Sequence, residues 1–418
     1  MTSLLLDKSQ RILILGYGVS GTSTANFLKN KGFEVFIHDD SMSDFFRQRS
    51  HSVEKDFDIL VKSPGIPFMP NNAHFWVKKA MEKKIPILSN YDIWSLFNPK
   101  ARVVCITGTN GKSTTTALIT HILQKSGKDA VMGGNIGIPY GDISQKHDIY
   151  IFEMSSYELA ISKYMNFEVC CLLNIAPDHL ENHGSFENYV EAKYRALDYS
   201  KIKVINSTDK ITVDKYDSGT IVVSQNGIEL PDNNCPSLKG RHNKENAAFA
   251  YEVCRYFGIF HHEIIRHMES FEALPHRMNV VRVIGNTIFV NDSKATNPDS
   301  AARALDSYYE SHKIFWLVGG RSKGIDPLPY IDKYITMANN IYKIYLFGES
   351  MAEFEEKFGN KTIKCGSIEN ALKSAYNDAI SFEKGQNVVL FSPMCTSFDQ
   401  FKNFSERGEF FTRLVQEL

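Results

Sequence analysis

The stretch "CITGTNGKSTTT", residues 105–116, decides how this chain is read. An apolar run ends at Thr107 and a glycine-bearing turn follows. Lys112 and two hydroxyl residues, Ser113 and Thr114, then open a helical pattern. A strand feeding such a turn is the setting of a phosphate-binding loop. The common loop, G-x-x-x-x-G-K-[ST], calls for glycine at position 106, where Ile106 stands; the nearest glycine is Gly108. The turn is therefore either a variant loop or a helix cap that happens to contain a lysine. In the first case the backbone of Gly108, Thr109, Asn110 and Gly111 forms an anion nest. Lys112 then offers a point charge to the outer phosphates of ATP, and Ser113 can ligate Mg²⁺.

Bulk composition narrows the setting of that loop. At about 150 residues per domain, 418 residues predict two to three domains. Lys and Arg number 47 against 48 Asp and Glu, a net charge of −1. That balance speaks against a nucleic-acid surface or a polybasic membrane contact, so an anionic ligand must be held by local groups. The seven cysteines form no C-x-x-C pair and two are adjacent, which argues against a disulfide framework and for a reducing cytoplasm. Asp7 and Lys8 interrupt the N-terminal apolar stretch, so no leader is expected. No apolar run approaches the ~18 residues of a membrane span.

The strand-and-helix alternation starts three times, giving segments 1–97, 98–274 and 275–418. In the first, "RILIL" is a strand, "GYGVSG" a turn, and "TSTANFLKNKG" a helix stopped by Gly32; "FEVFIHDD" and "DILVKSPG" are further strands. In the second, "ARVVCITG", "DIYIFEMSS" and "VCCLLNIAPDH" are strands, and "STTTALITHILQKSG" is a helix. In the third, "NTIFVNDSKATN", "HKIFWLVGG", "NIYKIYLFG" and "QNVVLFSPMCTS" are strands. Each segment predicts an α/β domain, a mostly parallel sheet with flanking helices.

The polar residues at the ends of these strands are the candidate site. "GYGVSG" carries Gly16, Gly18 and Gly21 between a strand and a helix, with Asp39 at the end of the next strand. This suits a diphosphate at a helix N-terminus, either NAD or a sugar nucleotide, or else a plain tight turn. The segment of under 100 residues is short for a complete dinucleotide domain. Glu153 at a strand end is either an ordinary exposed glutamate or a Mg²⁺ ligand. His179 and His183 lie four apart, but no third ligand motif supports zinc. "HHEIIRH" at 261–267 misses H-E-x-x-H and reads as a solvated helix face. By residue type alone Lys193 is a surface helix residue. Arg277 opens the third segment. Asp292, Lys294 and Thr296 follow one strand, Lys323 a second and Ser397 a third, a set of cations and hydroxyls that suits a small carboxylate.

Taken together, "TGTNGKST", "GGNIG", "EMSS", Asp178–His179, "GRHNKENAAFA", "LPHR", "NDSKATNP" and "SPMCTSFDQFKNFSERG" resemble the Mur ligases, in that family's order and over nearly the whole chain. These are ATP-dependent amide-forming enzymes of peptidoglycan precursor synthesis. The last stretch resembles the D-glutamate-adding branch. The resemblance implies a Rossmann-like UDP-binding domain, a P-loop ATPase-like central domain and a Rossmann-like C-terminal domain that binds the amino acid. The implied substrates are ATP, UDP-N-acetylmuramoyl-L-alanine and D-glutamate. Two Mg²⁺ ions are implied, with Mn²⁺ as a substitute, in a cytoplasmic monomer.

Position by position, the resemblance implies that Gly108, Thr109, Asn110, Gly111, Lys112, Ser113, Thr114, Asn246, Arg277 and Asp292 bind ATP. Lys112, His179 and Lys193 would be catalytic. Ser113, Glu153, His179 and Lys193, the last as a carbamate, would hold the metal ions. Val19, Ser20, Asp39, Asp40, Ser63, Asn135 and Ser156 would hold the UDP-sugar. Lys294, Thr296, Lys323, Ser397, Phe398 and Phe404 would surround D-glutamate. Three places depart from the family: Glu158 stands where glutamine is common, which puts the acceptor contact there in question, "DHLENH" stands for the commoner "DHLDRH", and Phe398 stands where leucine is frequent. The rival readings are a sister ligase for another amino acid, folylpolyglutamate synthase, a nucleotide sensor, and a dehydrogenase using "GYGVSG". No D-N-P-R-like stretch marks a diaminopimelate or lysine adder, and a dehydrogenase leaves Lys112 and the third-segment cluster unexplained.

Overall fold

A computed structural model describes residues 6–40, 57–69, 72–144, 146–224, 235, 238, 240–336, 340–382 and 385–418. Residues 1–5, where the N-terminal reading begins, lie outside these. The described strands form three sheets. β1 (Arg11–Leu15), β2 (Glu34–His38), β3 (Ile59–Lys62) and β4 (Ile87–Leu88) make a parallel sheet in the order β2-β1-β3-β4. β5 (Arg102–Thr107), β6 (Ala130–Gly134), β7 (Ile149–Glu153), β8 (Phe167–Leu172), β9 (Ser200–Asn206) and β10 (Thr220–Val223) make the second, also parallel, in the order β10-β9-β8-β5-β7-β6. The third holds β11 (Asn279–Ile284), β12 (Thr287–Asn291), β13 (Lys313–Gly319), β14 (Ile341–Phe347), β15 (Thr362–Gly366) and β16 (Asn387–Met394), in the order β11-β12-β16-β13-β14-β15. Among the described strands, the β11–β12 pair is the antiparallel one.

The apolar runs behave as parallel strands must when helices cover both faces. In β1, Ile12 and Ile14 enter one core cluster and Leu13 and Leu15 the opposite one. In β13, Trp316 and Val318 face one core while Phe315 and Leu317 face the other. The period-two alternation persists, but both faces are buried, so the sequence shows an unbroken apolar stretch.

The chain divides into two compact units, Met1–Gly227 with Asn246–Met268, and Ile228–Glu245 with Glu269–Leu418. The first unit holds the first two sheets. Helix Asn90–Phe97 helps join them, capped by a reciprocal Ser89–Asp92 box. It places Tyr91 and Trp94 in the core of the second sheet, with the Trp94 and Phe152 rings 4.7 Å apart.

The strand order reverses beside the strand that feeds each key turn. β1 lies between β2 and β3, and β5 between β8 and β7. The crevice beyond the strand ends at such a reversal is where open α/β sheets bind ligands. At the first reversal, Gly16 has φ 92°, and a Cβ on Gly21 would lie 1.9 Å from the Gly16 carbonyl oxygen. Gly18 has open space around it. Thus Gly21 permits the turn to close on helix Val19–Asn30, whereas Gly18 leaves its backbone approachable. Gly21→Ala is expected to destabilise the first unit by about 1–3 kcal/mol through this overlap. Denaturant titration checks it; an unchanged midpoint would show that the turn relaxes freely.

Candidate active site

The phosphate-type turn is held by the next strand over. β5 ends at Thr107, Gly108 takes φ 148°, and Gly111 takes φ 86° as the cap of helix Lys112–Lys125. A Cβ on Gly108 would meet Leu173 and Asn174 at 3.0–3.3 Å, and one on Gly111 would lie 2.3 Å from Asn246 Oδ1. Asn174, just past β8, grips the turn on both sides. Its carbonyl accepts from Thr109 N (2.9 Å), its Oδ1 accepts from Asn110 N (2.9 Å), and its Nδ2 donates to the Asn110 carbonyl (3.0 Å). The Ala176 amide donates to Thr109 Oγ1 (2.9 Å), which also bonds the Tyr189 hydroxyl (2.8 Å). Thr115 Oγ1 donates to Asn246 Oδ1 (3.3 Å). These bonds fix the turn more closely than a simple helix cap requires.

Two lysines converge on that turn. Lys112 Nζ donates to the carbonyls of Gly108 and Thr109 (both 2.8 Å), and Lys193 Nζ donates to the same Gly108 carbonyl (2.8 Å). Lys193 is 1% exposed, which overturns its reading as a surface residue. Its helix, Phe186–Asp198, packs that face against the second sheet, and the ammonium lies 4.7 Å from the Tyr189 ring centroid. Burial, then the charge of Lys112, drive its pKa well below the ordinary lysine range, against the pull of Asp178 and Glu153.

Glu153 is likewise buried rather than exposed, and its Oε2 has no hydrogen-bond partner. An orphaned carboxylate oxygen is costly in a protein interior unless a cation meets it. Ser113, 4% exposed, supplies a hydroxyl at the head of the phosphate-loop helix. His179 adopts φ 57°, a left-handed conformation that non-glycine residues seldom take. Its amide donates to Asp178 Oδ1 (3.0 Å), and its Nε2 lies 3.5 Å from Asp178 Oδ2. The hard oxygen donors here suit Mg²⁺.

His183 does something the sequence gave no sign of. Its Nε2 bonds Ser156 Oγ (2.9 Å), and its ring stacks on Tyr157. Ser156 heads helix Ser156–Ile161, so His183 fixes a residue expected at the acceptor substrate. At the first sheet, Asp39 Oδ2 accepts from the Tyr17 amide (2.6 Å), and Ser63 Oγ donates to the Gly16 carbonyl (3.0 Å). Asp40 Oδ1 lies 3.3 Å from Nε2 of both His38 and His74. Val19 is 76% exposed at the helix start, with Ser20 beside it. Asn135 is exposed, its amide bonded to the Glu153 carbonyl (3.0 Å). The solvated-face reading of 261–267 needs correction at two positions: Ile264 and His267 are buried, while His261 and His262 are exposed.

In the second unit, Asp292 is 7% exposed at the end of β12. Ser392 Oγ donates to its Oδ2 (2.9 Å) and the Met278 amide to its Oδ1 (3.3 Å). Burial pushes its pKa up to about 7, opposed by the Ser392 bond and by Arg277. Lys294 Nζ sits 3.9 Å from the Phe404 ring centroid. Ser397 is buried, Phe398 is 62% exposed, and Thr296 and Lys323 are half-buried. Beneath these loops lies Arg407, 1% exposed and unremarked in the sequence. It donates to Ser293 Oγ and O (3.1 and 2.8 Å) and to the carbonyls of Cys395 and Thr396 (3.0 and 3.2 Å). A Cβ on Gly320 would reach its NH1 at 3.1 Å. One guanidinium thus underlies the loops that carry Lys294, Lys323 and Ser397.

Glu158, which stands where the family commonly has glutamine, is an interior residue. It is 1% exposed, accepting from the Tyr140 hydroxyl (2.9 Å) and the Tyr91 amide (3.3 Å). Burial pushes its pKa up to about 7, opposed first by Tyr140. Buried Lys62, held by the carbonyls of Ser63, Pro64 and Ile66, is pushed down to about 8 by burial.

Comparison with known proteins matches residues 106–230 to the Mur ligase middle domain and residues 276–395 to the Mur ligase glutamate ligase domain. A UDP-N-acetylmuramoylalanine–D-glutamate ligase of Rickettsia prowazekii is 35% identical, over 97% of this chain and 98% of that one. A protein of the same name from Phenylobacterium zucineum is also 35% identical, over 98% and 97%. Among solved structures, UDP-N-acetylmuramate-alanine ligase of Thermotoga maritima aligns with TM-score 0.59 at 17% identity, over 98% of this chain and 99% of that one. A pseudomurein peptide ligase type C of Methanothermus fervidus aligns with TM-score 0.58 at 19%, over 98% and 99%. At such identities the two structures speak for the fold.

The burial of Glu158 predicts a pH signature. Its folded pKa lies above its unfolded value of 4.5, so its burial is free of penalty below about pH 4.5. The penalty grows as pH rises through about 7, to on the order of 3 kcal/mol. Glu158→Gln keeps an acceptor for the Tyr91 amide and removes the charge. It is expected to be more stable than the parent at pH 8 and near-equal at pH 5, as denaturation at the two pH values measures. Equal stability at pH 8 would mean that Glu158 stays ionised in the fold at no cost.

Proposed function

The chain belongs to the Mur ligase family, and we propose that it joins D-glutamate to the L-alanine carboxylate of UDP-N-acetylmuramoyl-L-alanine at the expense of ATP. The observation that carries this is the meeting of Lys112 and Lys193 on the Gly108 carbonyl beside the unpartnered Glu153 oxygen. Full-length relatives named for this reaction supply the amino acid. We assign UDP-sugar binding to residues 1–97, ATP binding to 98–274 and amino-acid binding to 275–418. We assign a cytoplasmic setting, with which seven free cysteines agree; no described helix is long and apolar enough to cross a membrane.

A carboxylate is a poor acyl donor because oxide is a poor leaving group. Transfer of the ATP γ-phosphoryl group to the alanine carboxylate gives an acyl phosphate and ADP. The D-glutamate amine adds to the acyl carbon, the tetrahedral intermediate loses a proton, and phosphate departs as the amide forms. Asn174 occupies the Thr109 and Asn110 amides and shapes the loop; the amides from Gly111 to Ser113 cradle the phosphates, and Lys112 places fixed positive charge where phosphoryl charge develops. Thr114 lies beside Ser113 in the first turn. Asn246, Arg277 and Asp292 hold the nucleotide.

Ser113, Glu153, His179 and a carbamylated Lys193 would hold Mg²⁺, which when bound neutralises phosphoryl charge. Lys193 suits carbamylation because its burial favours the neutral amine, whose lone pair adds to CO₂ with loss of a proton. Val19, Ser20, Asp39, Asp40, Ser63, Asn135 and Ser156 bind the sugar nucleotide. Lys294, held against Phe404, and Lys323 pair with the carboxylates of D-glutamate. Thr296, Ser397 and Phe398 complete its pocket.

Phosphate release from ATP is expected to require both UDP-N-acetylmuramoyl-L-alanine and D-glutamate, and to fall at least about 100-fold with L-glutamate. Equal rates with L-glutamate, or release without the sugar nucleotide, would sink the assignment. For Lys193, protein equilibrated with ¹³C-bicarbonate is expected to show a carbamate carbon resonance that Lys193→Ala lacks. The same resonance in the variant would remove the modification from this residue.

A further inference from the structure

A second cavity in the first unit, about 750 Å³, contains none of the residues assigned above. It lies between the edge strand β4 with the turn before it and the C-terminal end of helix Ser156–Ile161. Buried Ala80, Ile87, Leu88 and Ile161 contribute apolar surface, and the half-buried Phe68 and Ile85 add to it. Exposed Lys84 and Lys163 and partly buried Arg195 also line it, and no carboxylate does.

The charges are distinctive. In a chain with a net charge of −1, three cations converge on one apolar cavity. Arg195 spends its guanidinium on the carbonyls of Leu159, Ala160 and Ser162, closing the end of the helix; hydrogen bonds to carbonyls leave its charge uncompensated. The ammonium groups of Lys84 and Lys163 have no carboxylate partner among the described residues. The nearby carboxylate of Asp92 accepts from the backbone amides of Ser89, Lys163 and Tyr164, and burial pushes its pKa up. Lys84 is also held at φ 55°, a left-handed conformation.

We propose that this cavity binds a small amphiphilic carboxylate, its apolar body against Phe68, Ile85, Ile87 and Ile161 and its anionic head at Lys84 and Lys163. The volume falls within the few hundred to about 1,000 Å³ usual for small-molecule sites. An apolar floor alone would accept any hydrophobe; the unneutralised rim selects an anion. A fully polar anion gains little from the floor and binds there weakly.

The test is calorimetric titration of the full-length protein, held with saturating ATP analogue and UDP-sugar so that both substrate sites are occupied. The probes are octanoate, octanol and inorganic phosphate. Octanoate is expected to bind one to one, with octanol and phosphate each weaker by at least about 10-fold. The double variant Lys84→Glu with Lys163→Glu is expected to weaken octanoate by the same factor or more without changing basal phosphate release. Ala160→Trp, which fills the cavity and leaves the charges in place, is expected to block octanoate. Thermal melting confirms that both variants fold. Equal binding of octanol, undiminished octanoate binding to either folded variant, or attachment to anionic-lipid vesicles without binding of soluble octanoate would each overturn the proposal.

Discussion

Two lysine side chains on one carbonyl oxygen, that of Gly108, are the contact on which the candidate site of the second sheet depends. That oxygen points to both because Gly108 takes φ 148°, a conformation closed to other residues here by Leu173 and Asn174. Two ammonium groups so close in a buried place repel one another. The cost is lowered when the more buried one, Lys193, gives up its proton readily. The depressed basicity of Lys193 thus follows first from its burial and then from the Lys112 charge, which a loop shaped by a glycine and the strand beside it brings near.

Around this point the protein repeats one device: an ionisable group is buried and then tied to backbone. Lys62 is held by three carbonyls, Glu158 by an amide and a hydroxyl, and Arg407 by carbonyls and a serine. Each tie fixes a turn that side-chain packing alone would leave loose. Desolvated charges cost stability, and their retention beside the candidate sites fits a need for position over stability. Asp292 shows the same tension, buried at a strand end with its pKa pushed up to about 7.

The sheets explain where these groups gather. Parallel strands bring successive loops to one edge, and the reversals at β1 and β5 open crevices there. The sequence announced these strands because both of their faces are buried, which leaves continuous apolar runs such as "VVCIT" and "IFWLV". It did not announce β4, with two residues, the edge strands β6, β10, β11 and β15, or β9, whose "SKIKVIN" starts partly exposed. Short or edge strands carry too little periodicity to be read.

The phosphate loop, the order of the motifs and the chemical type of each candidate residue were determined by the sequence alone. These are local matters: a strand, a glycine turn and a helix start need only a few adjacent residues to declare themselves. Burial was decided by the tertiary structure. Glu153 and Lys193 read as surface residues by type, and His183 as half of a histidine pair without a zinc site, until distant elements covered them. Glu158 read only as a departure from the family's glutamine, and the fold makes it an interior acid bonded to Tyr140 and Tyr91. Arg407 gave no signal at all, because its role lies in carbonyls contributed by loops more than 100 residues before it as well as by near neighbours. Desolvation depends on what packs over a group from elsewhere in the chain, and that is the one property that adjacent residues do not encode.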